Sequence, residues 1–450
     1  MKSLISRVQN LATKLDNWVV LVALSVSAAS VKTYIDYSQK GDLFLDDYFL
    51  GNRYKNSFRW DELWNFENFG RFVSRNVYWR FGSSVFHDRA QFYYLLNILI
   101  IIATALLLAK FVSRRQTWLV ASVIGSIYLV SAATVDEFIW ISNSQHLIAH
   151  MFIALFLVVS DRINLAAIPK SALLVAFFSI GLFTNLIFGV ALLWPTLRIL
   201  HQTPEIRTKE IRNFLIPSAV ISLAFLVLFF RVRENVYYST AIDYQTLELN
   251  VDFYFHGWLM FAVWILALSL GLFIGIRKKN LLTVFFSTGS FLLFMPFAFQ
   301  EFQRYSHYMN MSQLFLAAGW LIVASEVSRL PKVFTGVIAT VLLMGFFIRG
   351  KEQVHVWEAG PWGPGSRKVI EDMQAIDSKL PSDPLRYCFD VENDQKVMGA
   401  SATWWSVGLG GGFEWLVDDS DTYKLLGEDS GCDAIVSLSP LGTILTSSNK

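Results

Sequence analysis

Apolar runs about as long as a bilayer is thick recur along this chain, and short basic segments separate many of them. They lie at Trp18–Ile35, Gln91–Val112, Trp118–Thr134, His146–Ser160, Phe214–Phe230, Gly257–Ile276, Leu281–Phe299, Met309–Ala324 and Val333–Phe347. A helix needs ~20 apolar residues to cross hydrocarbon. Lipid offers no partner to a free backbone N–H or C=O, so helices are the structures open to such runs. With 54% hydrophobic and 16% charged residues and a mean hydropathy of +0.42, the chain is too apolar for an ordinary soluble globule. The 38 basic and 36 acidic residues nearly cancel, and no basic block interleaved with aromatics lies outside the runs. That balance argues against a nucleic-acid partner.

Charge between the runs sets the expected orientation. Lys110/Arg114/Arg115, Arg162/Lys170, Arg198/Arg207/Lys209/Arg212, Arg277/Lys278/Lys279 and Arg329/Lys332 form short basic loops, which belong in the cytoplasm. Such loops flank both ends of Ser171–Leu197, yet roughly 27 residues at ~1.5 Å each cannot cross twice. The expected solution is a pair of short or broken helices turning near Thr184-Asn185 and shielded by protein or a water-filled cavity. The count is then about eleven membrane helices, with the amino terminus inside and the carboxyl terminus outside. Lys2, Arg7 and Lys14 before the first run fit a signal anchor; the small residues Ser27–Ser30 keep a cleavable signal peptide open.

The expected fold is therefore an all-α polytopic membrane protein over 1–348, with outer loops at 36–90, 135–145, 231–256 and 300–308. A small α/β extracytoplasmic domain is expected over 349–450. In the first outer loop Trp60, Leu63, Trp64, Phe69, Phe72, Val73 and Val77 recur at helical steps, with Asp61, Glu62, Arg71 and Arg75 between them. That spacing describes helices along the membrane surface. In the tail, the segment from Gly365 reads as an amphipathic helix, and Leu385–Val391 and Ala434–Leu438 read as strands. Gly408–Gly412 lacks the Lys-Ser/Thr of a phosphate loop and reads as a turn. Cys388 and Cys432 both fall in this tail. Outside the cytoplasm they would form a disulfide, and two buried free thiols are the alternative.

Acidic residues beside lipid ask for a reason. Asp46 and Asp47 lie in Gly41–Arg53, just after the first run, and Asp136 and Glu137 lie in the second outer segment. Adjacent residues diverge by about 100° on a helix, so at most one of each pair faces a shared centre comfortably. Solvated loop acids are the competing reading. His146 and His150, four apart and so on one helix face, are candidate acceptor contacts, metal ligands or interfacial histidines. The segment Phe299–Tyr308 packs Glu301, Arg304, Tyr305 and His307 between two apolar runs. A guanidinium suits a phosphate oxygen pair, and a snorkelling arginine is the alternative for Arg304. Arg231 offers similar charge in the neighbouring outer segment.

This layout resembles the GT-C superfamily of polytopic glycosyltransferases, which use polyprenyl-phosphate-linked sugars on the non-cytoplasmic side. The resemblance lies in Asp46-Asp47 after the first helix, in Asp136-Glu137, in Gly181–Pro195 (GLFTNLIFGVALLWP), similar to the family's short Gly-Leu-rich helices, and in Gln303-Arg304-Tyr305 before a helix. Departures are Asn185 where relatives often carry a lysine, Ser306-His307-Tyr308 where prolines follow the Arg-Tyr pair, and Gln145-His146 where an acid opens the fourth helix. The resemblance implies transfer of a monosaccharide from a polyprenyl-phosphate donor to an envelope glycan, lipid or protein acceptor. A first-loop aspartate would act as base, Asp136 and Glu137 as further catalytic acids, and Arg304, Tyr305 and Arg231 would face the donor phosphate. His146, His150 and His307 would be auxiliary. Cofactors stay at none certain, since a divalent metal serves some members and not others. The expected setting is a bacterial inner membrane with a periplasmic carboxyl terminus. A lipid-linked oligosaccharide polymerase or ligase, and a transporter, are the alternatives.

Overall fold

The computed structural model describes residues 2–41, 43, 47, 50, 70–232, 243–299, 306–326, 332–359, 386–390, 422–425, 431–439 and 442–447. Helices dominate. They are α1 (Lys2–Ser38), α2 (Tyr78–Val85), α3 (Ala90–Val112), α4 (Trp118–Val130), α5 (Ala132–Ile139) and α6 (Ser144–Ser160), then α7 (Ile168–Leu182) and α8 (Leu193–Leu200). There follow α9 (Pro204–Glu210), α10 (Ile216–Val232), α11 (Tyr244–Phe255), α12 (Trp258–Lys278), α13 (Leu281–Ala298), α14 (Asn310–Glu326) and α15 (Lys332–Ala359). Among the described residues six helical segments are long and apolar enough to cross a membrane, and a bent pair raises the number to seven. The chain is thus an integral membrane protein in its architecture.

The bent pair is α4 and α5; the expected run Trp118–Thr134 takes in α4 and only the first residues of α5. They meet at Ser131 with a bend of 46°. Ser131 is extended (φ −67°, ψ 145°), and its Oγ accepts from Thr134 N at 3.2 Å, capping α5. The carbonyls released by the break find side chains: Thr134 Oγ1 donates to Tyr128 O at 2.7 Å and the Tyr34 hydroxyl to Leu129 O at 2.6 Å. A break at membrane depth survives when protein re-satisfies the freed groups, and here α1 supplies part of the repair.

The expected short pair is present as α7, a 3-10 turn Leu186–Leu192, and α8. Both halves are apolar helices too short to be counted among the spans. Asn185 caps the second half by accepting from Ile187 N at 3.2 Å. A π-helical segment, Phe72–Val77, packs against the break. Val73 N donates to Phe183 O at 3.1 Å, and Ser74 Oγ donates to Thr184 O. Part of the expected surface helix therefore serves as the shield that the broken pair requires.

Packing follows the logic of helices in lipid, where close van der Waals approach replaces the hydrophobic drive. Gly125 on α4 lets the Ala105 carbonyl of α3 come within 2.8 Å of where a Cβ would stand. Gly350 on α15 lies still closer to the Val130 carbonyl at the bend. α15 packs against α1, α4, α5 and α14, while α13 joins α12 to α14. The last apolar run is expected to end at Phe347, but the helix continues to Ala359, into the residues assigned to the tail.

The tail contributes a small sheet. Strands β1 (Arg386–Phe389), β2 (Thr422–Leu425), β3 (Ala434–Ser439) and β4 (Gly442–Ser447) lie in the order β2-β1-β3-β4. β1 is parallel to both β2 and β3, and β4 is antiparallel to β3. Cys388 of β1 and Cys432 form a disulfide with Cα atoms 5.7 Å apart. The expected helix from Gly365 and the glycine run 408–412 lie outside the described residues.

Candidate functional site

Buried polar residues collect around one 3-10 turn, Ile141–Asn143, between α5 and α6. The helices on either side of it, α5 and α6, are met by α1 near its end, by the start of α14, by the break after α7 and by α15 past its apolar part. Asp47, from the segment after α1, is fully buried, and its Oδ1 accepts from Ser142 N at 2.6 Å. An aspartate in that role caps a short helical turn and is held by it in return. Tyr78 of α2 donates to Asn97 Oδ1 at 3.0 Å on the same side, with burial pushing its hydroxyl well above the usual tyrosine range.

Asp136 and Glu137 are expected in an outer loop, and the structure corrects this. Both lie inside α5, buried, because Ser131 restarts the helix and carries it to Ile139. The rest of the expected 135–145 loop is the 3-10 turn and the start of α6. As neighbours on a helix, the two acids face different partners. Asp136 Oδ1 accepts from Gln353 Nε2 at 2.6 Å and from Trp357 Nε1 at 2.7 Å, both on α15. Glu137 Oε2 accepts from Asn310 Nδ2 at 3.0 Å and lies 3.4 Å from His150 Nδ1.

His146 and His150 are buried too, at 5% and 2% exposure, and both engage neighbouring side chains. His150 Nδ1 is also 3.3 Å from the Tyr128 hydroxyl, so Tyr128, His150, Glu137 and Asn310 form a continuous chain. His146 points to a second group. Its ring lies 5.2 Å from that of His307 and 5.6 Å from that of Tyr308, and its Nδ1 is 3.5 Å from Asn185 Nδ2. Burial, then the nearby His150 and Arg71, push the His307 imidazole down to about 3. The site thus has carboxylates on one side and imidazoles on the other, with His150 between them. Arg71 and Arg75 are near enough for His146 to feel their charge.

Asp136, Glu137, His146, His150 and His307 are therefore brought together, while Asp47 is fixed on Ser142 of the adjoining turn. Asp46, Arg304 and Tyr305 lie outside the described residues. Arg231 is exposed at the carboxyl end of α10, and among the described residues no hydrogen bond or ion pair joins it to the cluster. No three His, Cys, Asp or Glu side chains converge as metal ligands among the described residues.

Several members carry no sequence signal of their own. Tyr128 sits inside an apolar run, and Asn310 merely opens another. Gln353 and Trp357 are four apart on one face of α15, a spacing that pairs them but gives no hint of Asp136. No protein-family model matches the chain, and no curated protein sequence matches it.

Proposed function

We propose that the chain is a GT-C-type membrane glycosyltransferase that moves a monosaccharide from a polyprenyl-phosphate carrier onto a cell-envelope glycan, lipid or protein. In this reading it makes about eleven crossings of a bacterial inner membrane, with the amino terminus cytoplasmic and the disulfide-bonded sheet periplasmic. The observation that supports the reading is that buried acids border the turn 141–143: Asp47 bonds to Ser142 N within it, and Asp136 and Glu137 lie in the helix just before it, with His150 beside Glu137. Acids from two segments far apart in sequence are thus buried along one short stretch of chain, Asp136 to Ser142.

In the proposed step the Asp47 carboxylate takes the proton of the acceptor hydroxyl. That oxygen attacks the anomeric carbon, the bond from carbon to phosphate oxygen breaks, and polyprenyl phosphate leaves with the electron pair. Asp47 holds its position through Ser142 N. Glu137 and His150 order the neighbouring wall, and Arg304 and Tyr305 are the proposed partners of the phosphate. A positioned base contributes ~10²–10⁴-fold to such a step.

The test uses membranes containing the full chain, supplied with polyprenyl-phosphate-linked hexoses and pentoses. Release of polyprenyl phosphate is expected from the native chain, with a loss of about 100-fold or more in Asp47→Asn protein that still folds. Unchanged release in Asp47→Asn defeats the assignment of the base. Movement of lipid-linked sugar across sealed vesicles without transfer defeats the enzyme reading and favours a transporter.

A further inference from the structure

Among the described residues, five buried ones on the elements around the turn hold polar side-chain atoms without a hydrogen-bond partner. They are Asn76 on the π-helical segment, Asn97 on α3, Asn143 and Gln145 at the turn, and Glu137 on α5, each at most 6% exposed. A buried polar atom without a partner costs roughly 1–3 kcal/mol, so a set of them on adjoining elements is an expensive arrangement unless something else meets them. The elements that carry them are in mutual contact. The π-helical segment packs on α6, α5 packs on the 3-10 turn, and Asn97 is tied to Tyr78 beside Ser144.

The type of unmet atom is informative. Asn76, Asn97 and Asn143 leave an Nδ2 donor each, while Asn76 Oδ1, Gln145 Oε1 and Glu137 Oε1 remain as acceptors, three against three. An ammonium group only donates and an ionised carboxylate or phosphate only accepts, so either would leave half of the set unmet. A hydroxyl does both. Each acid nearby has one oxygen engaged by protein: Asp47 by Ser142, Asp136 by Gln353 and Trp357, and Glu137 through Oε2 by Asn310, with His150 beside it.

We infer that this amide-rich wall binds a neutral polyhydroxylated ring, so that the sugar handled here is an uncharged hexose or pentose rather than a uronic acid or an amino sugar. The inference rests on the glycosyl-transfer reading and narrows it to a substrate class. A site built to hydrogen-bond hydroxyls rejects rings that lack them or that replace one with a charge.

The test is saturation-transfer NMR on the full chain in nanodiscs, with methyl mannoside, methyl arabinoside, methyl glucuronide and methyl glucosaminide as probes. Transfer to the two neutral glycosides is expected, with the two charged ones near background. Asn143→Ala and Gln145→Ala are expected to weaken the neutral signal by about tenfold, while Asn164→Ala, outside the cluster, leaves it unchanged. Asn143→Asp keeps the shape and exchanges a donor for an acceptor, which reads the site if the alanine variants fail to fold. Equal or stronger signals from the charged glycosides, no signal from the neutral ones, or a signal indifferent to all three cluster variants overturns the inference. Neutral glycoside binding without cleavage of any lipid-linked donor would instead sink the transfer reading and leave the binding inference standing.

Discussion

Glu137 Oε2 stands 3.4 Å from His150 Nδ1 in a region closed to solvent, and the Tyr128 hydroxyl approaches the same nitrogen at 3.3 Å. The pair spans α5 and α6 across the 3-10 turn, so it ties the restarted helix to the next one. Glu137→Leu removes the acceptor of Asn310 and the partner of His150 together. The expected cost is roughly 3–5 kcal/mol, read as a fall in the thermal midpoint of the purified protein, while Glu137→Gln keeps the shape and costs less. A double-mutant cycle with His150→Ala should give a coupling of about 0.5–3 kcal/mol. Strict additivity would mean that the two side chains act separately.

Gly350 and Gly345 lie on the same helix and make opposite predictions. A Cβ at Gly350 would run into the Val130 carbonyl, a backbone atom that cannot swing away, whereas nothing lies within 4 Å at Gly345. Gly350→Ala is therefore expected to destabilise by ~1–3 kcal/mol. Gly345→Ala should be neutral or stabilise by up to ~1 kcal/mol through helix propensity. Thermal unfolding of the two variants side by side decides the matter, and equal midpoints would remove the close approach from the account of the bend.

Acidification should loosen the fold through His307 and Asp161. Burial, with His150 and Arg71 nearby, brings the His307 imidazole to about 3, below its ordinary ~6.5, so the unfolded chain binds the proton first. Stability from this source is complete above ~6.5 and is lost as pH falls toward 3. Burial pushes the Asp161 carboxyl up, but hydrogen bonds from Arg115 and Arg114 outweigh it and hold the group below its usual range. Its contribution is present above the ordinary carboxylate value and fades below it. Midpoints measured from pH 7 down to pH 4 should fall, and the fall should be shallower in His307→Asn. A profile with the same slope in that variant would place the loss elsewhere.

The cystine offers a test of compartment as well as stability. Cys388 and Cys432 are 44 residues apart, and closing a loop of that length is worth about 4 kcal/mol in the chain-entropy account. Maleimide labelling of denatured, unreduced protein is expected to be absent, with two thiols appearing after reduction. Cys388→Ser should lower the protease resistance of the sheet and leave the helices cooperative. Free thiols in protein taken directly from cells would remove the oxidising-compartment assignment.

Much of the helical plan is legible in the chain because apolar length alone announces a span. The short pair around Thr184-Asn185 is legible from a conflict between charge and length, since its flanks are basic and its reach is too small. The bend at Ser131 is not. Its apolar run continues through Ser131-Ala-Ala-Thr134, and the break becomes tolerable only once Tyr34 and Asn310 are at hand. Asp136 and Glu137 resemble loop acids for the same reason. The partners that let Asp136 sit inside α5 lie 217 and 221 residues further on, and periodicity carries no trace of such distant contacts.

α15 meets the bend twice, once through the bare backbone at Gly350 and once through Gln353 and Trp357, three and seven positions on. A slide by one residue would rotate the helix about 100°, turn a side chain into the Val130 carbonyl and swing both donors off the carboxylate. The helix is accordingly keyed like a bolt, free of intermediate settings. Any piston or screw motion along it must first open the joint at Asp136, so the latch and the acid site can only disengage together.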